Sequence, residues 1–331
     1  MSEVIRARVI SVQRESYLVR TEKCEKTEYM AHLNGNLREA EQFPIVGDYV
    51  QVLVDDYDSA LIMAIEKRKS YFSRPDRGGH SDGFVKTMKE QPVVANFDYV
   101  FIITSLNQDF SVNRIARYAS ITESGGGTPV AILTKADLCD QVEEYVAQVR
   151  QINDSMDIIP VSSYTGEGLD RIRKYFKEGV TIALLGSSGA GKTTLINTLA
   201  GKEIMKVNEI REEDSKGRHT TTHRRMIELD GVSLIDTPGM REIGVCDVEE
   251  GINRTFEDIA ELVCQCRFSD CTHEGELGCA VQKAIKDGLL DRERWEMYLR
   301  LQLESGWAKE KKQQKMVEIS KKRKELKKKR Y

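Results

Sequence analysis

Apolar and polar positions along this chain follow two different patterns, and the change between them divides the chain. About the first seventy residues contain short β-type segments separated by turns such as Asn34-Gly35-Asn36 and Val46-Gly47-Asp48. Four or five short strands with glycine-containing turns predict a small closed barrel, of which the oligonucleotide-binding (OB) fold is the common small example. The predicted strands cover 7–12, 16–20, 49–54 and 60–65.

Beyond the predicted barrel, near-continuous apolar runs alternate with stretches of helical pattern. Such runs are typical of parallel strands covered on both faces, so this region predicts an α/β doubly wound domain. Four of the five runs end directly at a candidate functional motif, and open α/β sheets bind ligands beyond the carboxyl ends of their strands. The runs are 99–103, 130–133, 158–161, 180–185 and 232–235.

The fourth run leads into a motif with the spacing of a phosphate-binding loop. Its glycines let backbone N–H groups curl around an anion, Lys192 can reach the β- and γ-phosphates, and the Thr193 hydroxyl can bind Mg²⁺. The alternative is a chance match on a tight turn, but the motif stands between a strand and a helical segment, as a phosphate loop requires. The predicted GTP-binding residues here are Gly186, Ser187, Ser188, Gly189, Ala190, Gly191, Lys192, Thr193 and Thr194.

The fifth run ends at Asp236-Thr237-Pro238-Gly239, which has the form of a magnesium and γ-phosphate sensor. Asp236 at the end of its strand can hold Mg²⁺ through water, and the Gly239 N–H can meet the γ-phosphate. The motif is short and would mean little alone. Its position after a phosphate loop is what predicts a nucleotide site.

A guanine-binding tetrad, Thr134-Lys135-Ala136-Asp137, follows the second run. The Asp137 carboxylate can accept two hydrogen bonds from the ring N–H and the amine of guanine, a donor pair that adenine lacks. Lys135 would lie along the base. Thr134 stands where most such tetrads have asparagine, so we expect guanine to be held somewhat less firmly.

After the third run, Ser162 and Ser163 begin a turn suited to the guanine carbonyl, although an ordinary Ser/Gly loop would have the same composition. The complete set therefore runs tetrad, phosphate loop, sensor, whereas ordinary GTPases run loop, sensor, tetrad. The simplest explanation is one circularly permuted GTPase domain that binds GTP and GDP. Its new ends open just beyond the sensor.

A switch region is predicted at 216–223, between the loop and the sensor. Thr221 is the threonine expected to cap Mg²⁺ in the GTP state. Met240 follows Gly239 where many GTPases place a glutamine that orients the attacking water, so hydrolysis should be slow without a partner. His219 is the best replacement for that glutamine and would act with Lys192 in catalysis, but it is also compatible with an ordinary surface histidine.

Three cysteines and a histidine lie within fourteen residues near the C-terminus: Cys266, Cys271, His273 and Cys279. This set is sufficient for one closed, tetrahedral, structural zinc site, and nothing in it requires the open position of a catalytic zinc. The chain has seven cysteines, an odd number, and the cluster favours metal binding over disulfides in a reducing compartment. Cys264 is a surplus thiol that could compete as a ligand.

Length and composition indicate how many domains the chain can form and in which compartment it is expected. The 331 residues, 40% of them hydrophobic, leave room for two or three domains with a sizeable core. No apolar run reaches membrane-spanning length, so we expect a cytoplasmic protein with no membrane partner.

The formal net charge of −3 hides a strong asymmetry. Residues 309–331 carry twelve Lys and Arg against three Glu, and the rest of the chain is correspondingly acidic. This basic tail is either a solvated helix or a helix that docks on phosphate backbone.

Together these residues resemble one family, the small ribosomal subunit biogenesis GTPases known as RsgA, YjeQ or YloQ. The resemblance covers essentially the whole chain. It rests on the permuted motif order, the phosphate loop and the sensor, the Cys/His spacing, and the segments 91–96 (Gln-Pro-Val-Val-Ala-Asn) and 218–222 (Arg-His-Thr-Thr-Thr).

The resemblance implies an N-terminal OB-fold over 1–72, a linker over 73–95, a permuted GTPase domain over 96–246 and a helical zinc-binding domain over 247–308. It also implies that the small (30S) ribosomal subunit and its rRNA are partners, and that the subunit stimulates GTP hydrolysis and late assembly factors then leave. We expect a monomer. The competing hypothesis is a nucleotide-gated RNA-binding module in which turnover is incidental.

Overall fold

The computed structural model describes residues 4–13, 16–21, 28–54, 59–75, 90–107, 109–205, 225–237 and 248–306. The N-terminal part is a closed five-stranded barrel with strand order β1-β2-β3-β5-β4. Every neighbouring pair in it is antiparallel except β3 and β5, which run parallel. Its strands are β1 (Val4–Val12), β2 (Tyr17–Thr21), β3 (Glu28–Leu33), β4 (Tyr49–Val54) and β5 (Ser59–Ile65).

The barrel confirms the predicted all-β N-terminal domain and adds two elements to it. β3 was not predicted from the sequence, and Asn34-Gly35-Asn36, predicted as a turn, is the start of the short helix α1 (Gly35–Glu39). The Asn34 Oδ1 accepts a hydrogen bond from the Leu37 N–H at 2.9 Å and so caps this helix. Asparagine favours turns and helix N-caps for the same reason, which is why the pattern alone could not separate them.

Both ends of the stretch predicted as a linker, 73–95, are paired strands. β6 (Tyr71–Pro75) and β7 (Glu90–Ala95) form an antiparallel two-stranded sheet. This sheet touches the barrel closely, because a Cβ on Gly47 would lie 2.0 Å from the Ala95 carbonyl oxygen. The described ends of the connection between barrel and central domain are therefore two paired strands that pack against the barrel.

The central domain is a six-stranded sheet with order β10-β9-β8-β11-β13-β12. All pairs are parallel except β12 with β13, which is antiparallel. Each of the five predicted runs coincides with a strand, except that Val180 precedes β11, and the edge strand β12 is an addition. The strands are β8 (Tyr99–Ser105), β9 (Thr128–Thr134), β10 (Asp157–Val161), β11 (Thr181–Gly186), β12 (Met226–Leu229) and β13 (Val232–Asp236).

Helices cover both faces of this sheet, as the near-continuous apolar runs predicted. Alternate residues of β11 show the arrangement: Ala183 belongs to one core cluster, while Ile182 and Leu184 belong to the other. The first face packs on α2 and α3, and the second on α5. The helices of this domain are α2 (Val112–Ser124), α3 (Val142–Arg150), α4 (Leu169–Arg173) and α5 (Lys192–Ala200).

The C-terminal part is helical and docks on α2. A Cβ on Gly251 would lie 2.0 Å from the Ser120 carbonyl oxygen, so α6 lies directly against the α2 backbone. Arg117 and Glu304 form an ion pair at 2.7 Å across the same interface. Within the described ranges, no helix combines the length and apolarity needed to cross a membrane. The helices are α6 (Glu249–Thr255), α7 (Glu257–Cys264), α8 (Ala280–Lys286) and α9 (292–306).

Candidate nucleotide site and metal centre

Five parallel strands end at one edge of the central sheet, and their ends bring the predicted motifs together. β9 ends at Thr134, β11 at Gly186 and β13 at Asp236, while Ser162 directly follows β10. β8, which lies between β9 and β11, ends at Ser105. This edge is the ligand-binding side of an open α/β sheet, so motifs spread over about a hundred residues of sequence meet at one place.

The phosphate loop connects β11 to α5 through a backbone that only glycine adopts easily. Gly189 and Gly191 have φ of 79° and 86°, in the left-handed region. Gly186 has no room for a side chain, because a Cβ there would lie 2.3 Å from the Ile103 carbonyl oxygen. These three positions give the loop a shape in which backbone N–H groups can face an anion.

Lys192, Thr193 and Thr194 are the first three residues of α5. Their N–H groups are among those that a helix leaves without a helical partner, and the helix dipole adds positive potential there. The Lys192 Nζ donates a hydrogen bond to the Gly186 carbonyl at 2.7 Å, so its ammonium group lies over the loop. Loop, helix start and lysine together form a site for a phosphate chain.

The Asp236 carboxylate lies in surroundings typical of a cation ligand. Its Oδ1 is buried and has no hydrogen-bond partner among the residues that the structure describes. Burial raises the pKa of this carboxyl, and the nearby Lys192 charge opposes that shift. An unpaired buried carboxylate oxygen is costly, so the donor set of Asp236 and Thr193 fits Mg²⁺ and its water shell.

Thr134 joins the guanine tetrad to the phosphate loop. Its hydroxyl lies 2.7 Å from the Ala190 carbonyl, to which it donates a hydrogen bond, and 3.3 Å from the Thr104 carbonyl. The side chain is 3% exposed, so this bond is shielded from water. From the sequence we expected only that a threonine holds guanine less firmly than asparagine would. In the structure the Thr134 hydroxyl also bonds the phosphate loop and so helps to position it.

The rest of the tetrad forms a tight turn beyond β9. Lys135 has φ 61° and ψ 36°, a left-handed conformation that is uncommon outside glycine, asparagine and aspartate. It is followed by a 3-10 turn over Ala136–Leu138, in which Ala136 is buried and Asp137 is exposed. The turn places the Asp137 carboxylate where a ligand at the sheet edge can reach it.

The turn after β10 is shaped by Ser162. This side chain is fully buried, and its Oγ accepts hydrogen bonds from the N–H groups of Tyr164 at 3.2 Å and Thr165 at 3.0 Å. Gly168 closes the turn with φ 76°, and a Cβ there would lie 2.2 Å from the Pro160 carbonyl oxygen. Ser162 therefore builds the turn, and the half-buried Ser163 is available at its surface.

Three predicted site residues, His219, Thr221 and Gly239, lie outside the described residues, as do Met240 and the basic tail. No sequence motif marks the end of β8. There the structure places Asp109, whose carboxylate accepts a hydrogen bond from the Ser187 hydroxyl in the phosphate loop. The available signal was the topology: β8 is an inner strand of the sheet, so the residues after it must reach the same edge.

The four predicted metal ligands meet in one cluster, with all ligand atoms within 4.8 Å of one another. The His273 Nδ1 lies 3.5 Å from the Sγ atoms of both Cys266 and Cys279, and these two sulfurs are 3.9 Å apart. A tetrahedral zinc with ordinary bond lengths requires about 3.8 Å between sulfurs and about 3.5 Å between sulfur and nitrogen. Cys266, Cys271, His273 and Cys279 therefore fit one closed zinc site.

Neighbouring groups hold this cluster in shape. The Gln282 N–H, in the first turn of α8, donates to the Cys279 Sγ at 3.4 Å, and the Trp295 ring packs edge-on against His273 with centroids 5.3 Å apart. Hydrogen bonds from Thr272 and nearby backbone N–H groups lower the pKa of Glu276 to about 2, so this carboxylate stays charged while it braces the loop. Cys264, the surplus thiol, is exposed and is not among the four.

A mainly parallel sheet with these motifs at its carboxyl edge, in rotated order and between a barrel and a helical Cys/His domain, defines a circularly permuted GTPase. The family model for the RsgA GTPase matches residues 65–246. The chain belongs to the RsgA GTPase family.

Curated relatives and solved structures agree with this assignment. The chain is 42% identical to small ribosomal subunit biogenesis GTPase RsgA 2 of Listeria monocytogenes, over 91% of this chain and 83% of the relative. It is 41% identical to RsgA of Methanosarcina acetivorans, over 91% and 78%. YjeQ from Thermotoga maritima superposes with a TM-score of 0.67 at 25% identity, over 90% of this chain and 97% of that one. YloQ, a circularly permuted GTPase, shares the fold with a TM-score of 0.64 at 22% identity, over 93% and 96%.

Proposed function

We propose that this protein is a cytoplasmic GTPase that binds the small ribosomal subunit and hydrolyses GTP to assist its late maturation. The curated relatives carry the name of small ribosomal subunit biogenesis GTPases. The observation that carries the proposal is the sheet edge at which the phosphate loop, the guanine tetrad and Asp236 meet. The bond between Thr134 and Ala190 makes the base and phosphate halves of this site one unit.

Different described residues would bind different parts of GTP. The loop 186–191 and the start of α5 bind the phosphates, and Lys192 neutralises charge on the β- and γ-phosphates. Asp137 reads guanine, and the turn at Ser162 and Ser163 meets the guanine carbonyl. Mg²⁺, when bound, neutralises negative charge that develops on the phosphate oxygens during phosphoryl transfer.

Thr193 would hold that ion directly, Asp236 through water, and Thr221 from the switch. A zinc ion on Cys266, Cys271, His273 and Cys279 would have a structural role, because four protein ligands leave no open position for a substrate.

Hydrolysis requires a group that orients the attacking water. Met240 cannot do this, so we place the catalytic role on His219, brought to the water when the switch meets the ribosomal subunit. Docking would then complete the catalytic arrangement by positioning His219. In other GTPases, supply of a missing catalytic group raises turnover by roughly 10³ to 10⁵.

The test is GTP turnover by the purified chain with and without mature small ribosomal subunits, with large subunits as the control. We expect small subunits to stimulate GTP turnover strongly and large subunits not to stimulate it. Lys192→Ala should abolish turnover, and His219→Ala should keep GTP binding but lose most of the stimulation. His223→Ala, in the same switch, is the matched control and should behave as the parent does.

Equal stimulation of the parent and His219→Ala would eliminate the histidine. An unstimulated parent that nevertheless binds small subunits only in one nucleotide state would instead support the nucleotide-gated RNA-binding module.

A further inference from the structure

Hydrogen bonds organise the described residues between β8 and α2, which lie beside the phosphate loop. The Asn107 Oδ1 accepts hydrogen bonds from the Ser105 hydroxyl at 2.9 Å and from the Asp109 N–H at 3.0 Å. The Phe110 N–H donates to the Asn107 carbonyl at 2.9 Å, which closes the turn before α2 begins. These bonds organise the backbone that carries Asp109 beside the phosphate loop, where its side chain is 45% exposed.

This side chain contacts the first residue after β11. The Ser187 hydroxyl donates a hydrogen bond to the Asp109 Oδ2, and Ser187 is only 4% exposed. Three residues further along the loop, the Ala190 carbonyl accepts the hydrogen bond from Thr134. The phosphate loop is thus bonded at two points: to Asp109 in the loop after β8, and to Thr134 at the end of β9.

The charge of Asp109 is unfavourable beside phosphates unless it is neutralised. Arg114 does this with a two-point contact: its guanidinium nitrogens lie 2.9 Å and 3.2 Å from the two carboxylate oxygens. One nitrogen also donates to the Asp109 backbone carbonyl at 3.0 Å. Forked contacts of this kind fix geometry as well as charge. The pair presents a hydrogen-bond acceptor to Ser187 with little net charge.

We propose that Asp109 is a positioning residue for the nucleotide-binding reaction: through Ser187 it holds the phosphate loop in the shape that receives the phosphates. This inference rests on the proposed GTPase function. On this proposal Asp109 acts on the nucleotide through Ser187 and not by a contact of its own. A loop held in its binding shape before the ligand arrives loses less conformational freedom on binding, and affinity rises accordingly.

The direction of the change in GDP affinity distinguishes a positioning role of Asp109 from a purely electrostatic one. Removal of a carboxylate beside an anion should tighten GDP binding by Coulomb's law, and more so because Arg114 is set free. Positioning predicts the opposite: Asp109→Ala should weaken GDP binding, by about tenfold for a lost hydrogen bond to a charged group. Ser187→Ala changes no charge and should weaken it by a similar factor.

The experiment measures the Kd of fluorescently labelled GDP for the full chain, four test variants and one control variant, with the thermal midpoint of each as a check on folding. The double variant Asp109→Ala/Ser187→Ala should bind no more weakly than the poorer single variant, because both remove the same bond. Asp109→Asn keeps an acceptor oxygen and should lose less than Asp109→Ala. The matched control is Asp230→Asn, which removes the charge of an exposed aspartate whose partner, Arg173, is 3.3 Å away, and keeps a residue that tolerates the φ of 50° at this position.

Parent-like or tighter GDP binding by Asp109→Ala would overturn the proposal, as would additive losses in the double variant. The assay contains no ribosomes, so a protein that binds GDP without stimulation by subunits would refute the proposed function and leave this inference standing. A parent chain that binds no GDP would refute both.

Discussion

Zinc removal should unfold the C-terminal helices before the rest of the chain. Three of the four ligand atoms already stand at the spacings of a tetrahedral zinc site: the Cys266 and Cys279 sulfurs are 3.9 Å apart, and each lies 3.5 Å from the His273 Nδ1. The Cys271 sulfur lies within 4.8 Å of these atoms. Structural zinc in small domains contributes on the order of 10 kcal/mol of apparent binding free energy. That is comparable with the whole net stability of a typical domain, about 5–15 kcal/mol. The packing of α6 on α2 is not expected to compensate for such a loss.

Trp295 gives this prediction a local probe. It is 6% exposed and packs against the ligand His273, and the chain contains only one other tryptophan, Trp307. In a Trp307→Phe background, a chelator should shift Trp295 emission to the red as zinc leaves and the ring meets water. GDP binding at the sheet edge should persist at that point, which would show that the central domain remains folded.

Elemental analysis of protein purified without chelators should find one zinc per chain. Cys271→Ala should lose the metal, and Cys264→Ala, the exposed neighbour, should retain it. Protein without zinc, or chelation that leaves Trp295 emission unchanged, would refute the reasoning. The reverse behaviour of the two cysteine variants would make Cys264 the fourth ligand.

Three further predictions follow from the nucleotide site and the domain interface. Thr134→Val keeps the shape of the side chain but leaves the phosphate-loop carbonyl unpaired. The free energies lost in unfolding stability and in GDP binding should together be about 1–3 kcal/mol. Thr134→Ser should resemble the parent, and a parent-like valine variant would contradict this prediction. Asp137→Asn should favour xanthine over guanine nucleotides in competition binding, and unchanged GDP binding would show that the tetrad is misassigned. Gly251→Ala should lower the thermal midpoint by several degrees because its Cβ would lie 2.0 Å from an α2 carbonyl, whereas Gly306→Ala, with open space around it, should not.

Local chemistry explains why so much of this protein could be predicted from its sequence. Phosphate loops, guanine tetrads and zinc knuckles use neighbouring residues, so their spacing survives as a contiguous pattern whatever the order of the motifs. The buried parallel strands are apolar on both faces and were found for the same reason. Even the circular permutation was readable, since it changes the order of the motifs and leaves each one intact.

Only the tertiary structure decided what joins these pieces. Thr134 and Ala190 are 56 residues apart in sequence, and Ser187 and Asp109 are 78 apart, yet each pair shares a hydrogen bond. No periodicity encodes such contacts, because they depend on which strands lie side by side. The same holds for the edge strand β12 and for the pair of strands β6 and β7 at the ends of the predicted linker, none of which was predicted from the sequence. The sequence determined the chemistry of each motif, and strand order determined which motifs act together.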